Sequence, residues 1–165
     1  MTDTLTIRRA ERRDAGDLIT LISALADFEE LPRPEPDAQQ RLIADGFGDR
    51  PKFEVYLAEL EGVPGPVGYA FIFETYSTFL ARPSLYLEDL FVLPDYRKRG
   101  IGGKLLDHCI ALAHERGCGR MEWACLTWNT NAQTVYRRLG ASHLDDWMLF
   151  RLTRDDMQRR LDKSR

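Results

Sequence analysis

Leu85-Tyr86-Leu87-Glu88-Asp89-Leu90-Phe91-Val92-Leu93-Pro94-Asp95-Tyr96-Arg97-Lys98-Arg99-Gly100-Ile101-Gly102-Gly103-Lys104-Leu105-Leu106 decides the fold of this 165-residue chain. Leu85 to Leu93 is an apolar and aromatic run broken only by two adjacent carboxylates, the pattern of a strand buried on both faces. Pro94 ends it, because proline cannot donate to a ladder. Arg97 to Gly103 sets three cations against three glycines. Beyond them Ile101, Leu105, Leu106, Cys109, Ile110, Leu112 and Ala113 recur at helical spacing. Glycines let backbone N–H groups turn toward a ligand. The first N–H groups of a helix have no internal partner, and its dipole favours negative charge there. A strand, a glycine turn and a helix start therefore predict an anion site, with phosphate or pyrophosphate as the expected guest.

Two nucleotide motifs fail at this junction. A dinucleotide fingerprint starting at Gly100 ends on Leu105 rather than Gly or Ala, and a Walker A loop lacks its first glycine at Lys98 and its hydroxyl at Leu105. What remains is Arg-x-x-Gly-x-Gly, carried by Arg97, Gly100 and Gly102.

Working outward, Leu5 to Arg8 reads as a short strand, and Asp14 as the cap of a helix carrying Leu18, Ile19, Leu21, Ile22, Leu25 and Phe28. Asp27 to Asp37 holds five carboxylates, one arginine and three prolines, a stiff acidic loop. Asp37 is expected to cap a second helix ending at Gly46. Phe53 to Leu60 and Val67 to Tyr76 flank the turn Glu61-Gly62-Val63-Pro64-Gly65-Pro66 and predict an antiparallel hairpin. After the central strand and helix, Arg120 to Thr127 is expected as a strand parallel to the central one, by the crossover rule. Thr130 to Leu139 reads as a helix, Trp147 to Leu152 as a last strand, and Thr153 with Asp156 as the start of a terminal helix. The expectation is an α/β fold: a mixed twisted sheet of about six to seven strands with helices on both faces, one domain over residues 1–165. Ligands of such sheets bind at strand carboxyl ends near a switch in direction, where Glu88 to Val92 and Thr127 to Asn129 lie.

Bulk properties narrow the partners. A formal net charge of −3 argues against nucleic acid. No apolar run approaches the ~20 residues of a membrane helix. Met1-Thr2-Asp3-Thr4 has no basic flank or apolar stretch of a leader. Three cysteines, Cys109, Cys118 and Cys125, without framework spacing suggest reduced thiols and a cytoplasmic setting. His108, His114 and His143 form no metal-ligand pattern with them, so no metal is expected.

Several blocks resemble the GCN5-related N-acetyltransferase (GNAT) superfamily, and within it the polyamine (diamine) acetyltransferase branch typified by spermidine/spermine N1-acetyltransferase. They are Asp45-Gly46-Phe47-Gly48, Tyr86 to Val92, Asp95-Tyr96-Arg97 with Gly100-Ile101-Gly102, Trp128-Asn129, and Tyr136-Arg137-Arg138-Leu139-Gly140-Ala141. The resemblance runs from Leu5 to Leu152. Related enzymes acetylating thialysine or other small amines share these blocks.

The resemblance implies direct acetyl transfer from acetyl-CoA to a primary amine in a ternary complex, on a homodimer. The cofactor set it implies is Arg97, Lys98, Arg99, Gly100, Ile101, Gly102 and Gly103 at the pyrophosphate, Leu90, Phe91 and Val92 along the pantetheine arm, and Asn129, Ala132 and Tyr136 opposite. An N–H in the strand, expected at Leu90, would polarise the acetyl carbonyl. An alkylammonium, with an ordinary pKa of ~10.4, must lose a proton before attack. Glu88 is the candidate base and Tyr136 the candidate acid. In a regular strand Asp89 points to the face opposite Glu88, and only a bulge brings both carboxylates to one side.

The acidic set Glu29, Glu30, Glu35, Asp145 and Asp146 suits a cationic substrate; Phe28, Glu29, Glu88 and Asp145 are the candidate substrate contacts. Two positions depart from the branch pattern: Thr127 stands where an acidic residue is common, and Phe28 where the family has Tyr. Other amine acceptors, and a CoA-binding sensor without turnover, stay open as alternatives.

Overall fold

A computed structural model of the chain describes residues 4–163. The reading of Met1 to Asp3 lies outside the described residues. The chain divides into two compact units, the first ending at Ala124 and the second beginning at Cys125.

The first unit is built on a five-stranded sheet in sequence order. Its strands are β1 (Leu5–Arg9), β2 (Glu54–Leu60), β3 (Pro66–Ser77), β4 (Arg82–Val92) and β5 (Arg120–Glu122). The first four pair antiparallel; β4 and β5 pair parallel, as the crossover rule requires of the intervening helix. The helices are α1 (Ala15–Phe28), α2 (Pro36–Phe47) and α3 (Ile101–Glu115).

Strand alternation assigns the two faces. Val55, Leu57, Tyr69, Phe71 and Phe91 point to one side, where they form a core with Leu18 and Leu21 of α1; Leu42 and Phe47 of α2 pack against it. Tyr56 points the other way and meets the ring of His108 on α3, centroids 4.5 Å apart. On that face Arg116 at the end of α3 donates to both oxygens of Glu54, at 2.7 and 2.9 Å. Leu105, Leu106 and Cys109 of α3 are fully buried, and burial pushes the Cys109 thiol up to about 12, which makes it a packing residue. Helices cover both faces, as expected.

Asp14 does not cap α1 with its side chain. It accepts from both terminal nitrogens of Arg8, each at 2.8 Å, and from the Glu11 amide, which holds its carboxyl down at about 2. The cap of α2 is Glu35, with Pro36 in the first turn, and the helix runs one residue past Gly46.

The sheet has fewer strands than expected. β5 covers only Arg120–Glu122 of the Arg120 to Thr127 stretch, and Trp147 to Leu152 forms no strand among the described residues. β4 therefore pairs on its second edge only from Ser84 to Tyr86. The second unit holds α4 (Thr130–Arg138) and α5 (Arg154–Asp162). The expected cap of α5 is present: the Thr153 hydroxyl accepts from the Asp156 amide while Asp156 accepts from the Thr153 amide.

Candidate active site

β4 is not regular: it contains a bulge at Glu88. Phe71 of β3 faces Asp89 but its neighbour Ile72 faces Leu87, so Glu88 has no partner in the register. Asp89 shares the face of Tyr69, Phe71 and Phe91, while the slip sends Leu87, two residues earlier, to the α3 face with Ile72. Glu88 stays close enough for its charge to act on the Asp89 carboxyl. Glu88 is exposed; Asp89 is partly buried and accepts a 3.1 Å hydrogen bond from the Tyr69 hydroxyl. Burial, reinforced by the charges of Glu88 and Glu29 and opposed by the Tyr69 hydrogen bond, pushes the Asp89 carboxyl up to about 6. Glu29 caps the C-terminus of α1, and partial burial raises its proton affinity too.

Beyond the bulge the strand regains its register, and the main chain has a free side. The Leu93 amide donates to the Val67 carbonyl on β3 at 2.9 Å. By antiparallel alternation Phe91 also faces β3, so the N–H and C=O of Leu90 and Val92 point to the other edge. Among the described residues of this unit no strand pairs with that edge after Tyr86.

The loop leading into α3 has the predicted form. Lys98 and Gly100 both lie in the left-handed region, at φ 62° and 80°. Gly100 is the N-cap of α3 and accepts from the Lys104 amide. Among the described residues nothing accepts from the amides of Ile101, Gly102 or Gly103. A Cβ on Gly102 would sit 3.8 Å from Val92 Cγ2, an ordinary contact, and one on Gly103 would meet nothing. The chain's own packing therefore does not demand glycine here; open space in front of free amides fits a diphosphate. No helix N-terminal carboxylate competes for the site.

Arg97 behaves differently from its neighbours. Its Nε donates to the Val92 carbonyl at 2.8 Å, and its guanidinium lies over the rings of Phe28 (4.5 Å) and Phe91 (5.3 Å). It pins the end of α1 to the end of β4, and Phe28 is part of that pin. The cation stacked on two ring faces is favourable where it is desolvated.

The second unit carries Asn129, Ala132, Tyr136 and Asp145. Asn129 caps α4, its Oδ1 accepting from the Ala132 amide at 3.2 Å, so these two predicted residues bind each other. Burial, with the nearby Cys125, pushes the Tyr136 hydroxyl up to about 12, which keeps it protonated. Asp145 is exposed and pairs with His143 Nδ1 at 2.7 Å. Tyr69 and Asp89 are the residues that sequence reasoning left out of the site. Among the described residues no group of three His, Cys, Asp or Glu side chains is arranged to hold a metal ion, and no helix is long and apolar enough to cross a membrane.

A five-stranded mixed sheet with a bulge in β4, an open strand edge and a helix that starts on glycine frames the site. The chain belongs to the acetyltransferase (GNAT) family, which matches residues 20–141. It is 37% identical over 161 residues to the thialysine N-epsilon-acetyltransferase of Mus musculus, covering 92% of this chain and 94% of that one. It is 40% identical over 129 residues to an L-ornithine N5-acetyltransferase of Arabidopsis thaliana, covering 78% of this chain and 50% of that one. It is 32% identical over 163 residues to the spermidine/spermine N(1)-acetyltransferase-like protein 1 of Homo sapiens, covering 94% of this chain and 23% of that one.

The same fold is found in an integron cassette protein from the mobile metagenome of V. cholerae, with TM-score 0.79, 21% identity and 98% of each chain covered. It recurs in an aminoglycoside N-acetyltransferase solved with CoA, with TM-score 0.71, 21% identity, and 93% and 97% of the two chains covered. The protein is an acetyl-CoA-dependent N-acetyltransferase of the GNAT fold, acting on amines.

Proposed function

We propose that the protein acetylates a small cationic primary amine, a polyamine or a basic amino acid of the thialysine type, at the bulge of β4, with residues 1–165 acting as one domain. The observation that carries this reading is the pairing of an open, amide-lined strand edge with three carboxylates, Glu29, Glu88 and Asp89, in one unit. The family match runs through both units, which supports the single domain.

Acetyl-CoA supplies the acetyl group as an activated thioester. In our reading the amides of Ile101, Gly102 and Gly103 and the dipole of α3 hold its diphosphate. Lys98 and Arg99 add charge. Arg97, with its guanidinium already committed to Phe28 and Phe91, shapes the loop rather than gripping phosphate. Leu90, Phe91 and Val92 supply the strand edge, and the Leu90 N–H stabilises negative charge on the acetyl oxygen as a preorganised donor. Glu88 takes a proton from the ammonium, directly or through water, which frees the nitrogen for attack. Tyr136, held protonated, hands a proton to the departing sulfur; Asn129 and Ala132 fix the start of its helix.

Glu29 and Asp145 contribute negative potential that draws a cation. The relatives named for thialysine, ornithine and spermidine or spermine all carry basic amines in their names, which supports this substrate class. The cysteines, none in a disulfide, fit a cytoplasmic setting.

The test is a substrate panel. Incubated with acetyl-CoA and spermidine, spermine, putrescine, thialysine, lysine or peptide N-termini, the protein is expected to release free thiol with at least one small basic amine. Thiol release with peptide N-termini alone would overturn the substrate class. CoA binding without thiol release from any acceptor would instead mark a sensor.

We also propose a homodimer. Trp147, Met148, Leu149 and Phe150 are each more than 70% exposed in one copy, and they belong to the stretch whose pattern reads as a strand. A strand needs a neighbour, and apolar residues in a row need cover; a second copy supplies both. Sedimentation should give the mass of two chains, with Trp147→Ser/Phe150→Ser shifting it to one. A wild-type monomer at working concentrations refutes the dimer.

A further inference from the structure

We infer that Asp89, braced by the Tyr69 hydroxyl, is a second proton acceptor for the acceptor amine, working beside Glu88 on the bulge. This rests on the amine-acetyltransferase reading above and deepens it. The register slip at Glu88 is the geometric basis: it separates Asp89, on the face of Tyr69 and Phe91, from Leu87 on the α3 face, and leaves Glu88 unpaired beside it. The Tyr69 side chain is fully buried, and its hydroxyl fixes one oxygen of the Asp89 carboxyl at 3.1 Å. The other carboxyl oxygen has no hydrogen-bond partner among the described residues. No cation pairs with Asp89 among them either, although a buried carboxylate is costly unless paired or hydrogen-bonded. A substrate ammonium is the counter-charge this arrangement is built to receive.

The charged and titratable groups facing Asp89 come from every neighbouring element. Glu29 approaches from the end of α1, Tyr69 from β3 and Glu88 from β4 itself. Arg97 lies along the same face but stacks on Phe28 and Phe91. The surroundings are therefore acidic, and with burial they leave Asp89 ionised at neutral pH yet a better base than an ordinary carboxylate. The Tyr69 hydroxyl donates to the charged form and so opposes the rise.

The chemistry balances without further reagents. The ammonium loses one proton to a bulge carboxylate. The freed lone pair forms the N–C bond to the acetyl carbon as the C–S bond breaks. The remaining surplus proton on nitrogen ends on the CoA thiol, and the carboxylic acid returns its proton to water. With two carboxylates on the bulge, either can take the first proton, so loss of one slows the reaction without abolishing it.

Tyr69→Phe isolates the claim, because it deletes one hydroxyl from a buried ring and keeps the ring's shape. The readout is the pH dependence of kcat/KM for the amine found in the panel, at saturating acetyl-CoA. Removing a donor to the charged form raises the Asp89 pKa, so the acid limb should move up by about one pH unit. The alkaline plateau and the KM for acetyl-CoA should stay put. Asp89→Asn should lower kcat about tenfold at neutral pH, and Glu88→Gln/Asp89→Asn should lower it well beyond either single change. A Tyr69→Phe profile that superimposes on wild type, with kcat kept in Asp89→Asn, reduces Asp89 to a brace between β3 and β4 and overturns the inference alone. A wild type that releases no thiol with any amine overturns the reading beneath it as well.

Discussion

Glu88→Gln should lower kcat about a hundredfold at neutral pH while leaving the KM for acetyl-CoA unchanged. Glu88 is the unpartnered residue of the bulge and is exposed, so the amide costs little stability, within about 0.5 kcal/mol. What it loses is the ability to accept a proton. An acceptor amine with a pKa of ~10.4 reaches the enzyme protonated at neutral pH, so the loss falls on the step that frees the nitrogen. The deficit should therefore shrink as pH rises toward the pKa of the amine, because the substrate then arrives already deprotonated. Steady-state kinetics across pH measures both parts. An unchanged kcat removes Glu88 from proton transfer; a changed acetyl-CoA KM places it at the cofactor instead.

Gly102→Val should reduce affinity for CoA at least tenfold, about 1.4 kcal/mol, with the fold intact. The position separates packing from binding. Gly100 sits at φ 80°, where any side chain strains the backbone, so its replacement would confound the two. At Gly102 a Cβ meets only Val92 Cγ2 at 3.8 Å, and the helix tolerates it. The valine methyls would then fill the space in front of amides that have no acceptor among the described residues. Calorimetry with CoA reads the loss, and a thermal melt confirms that the chain is still folded. Wild-type affinity in this variant would mean that the diphosphate lies elsewhere.

Much of this was legible from residue pattern. The β2–β3 hairpin followed from alternation around the turn at Gly62 and Gly65. α3 followed from its apolar spacing, and the capping box at Thr153 and Asp156 from two residues. The bulge was not legible. The residues facing α3 are Leu87 before it and Leu90 and Val92 after it, a slip of one position in the alternation. Leu90 to Leu93 is apolar at every position, so nothing in the pattern marks the slip. Asp89 consequently read as a residue of the opposite face, and Tyr69 as one more core aromatic.

Arg97 stands in the implied cofactor set through its Arg-x-x-Gly-x-Gly block; only the folded chain brings Phe28 under its guanidinium. The strand residues over-read at Trp123 to Thr127 and at Trp147 to Leu152 share a cause. Apolar alternation reports a residue's fitness for a ladder, whereas a strand exists only where a partner edge is present.

In our reading the amides at the start of α3 and at Leu90 are the cofactor's partners. Backbone amide resonances of isotope-labelled protein, followed by NMR during titration with CoA, test it most directly. The largest displacements should fall on Gly102, Gly103 and Leu90. Saturable binding that leaves those three amides unmoved would contradict the claim.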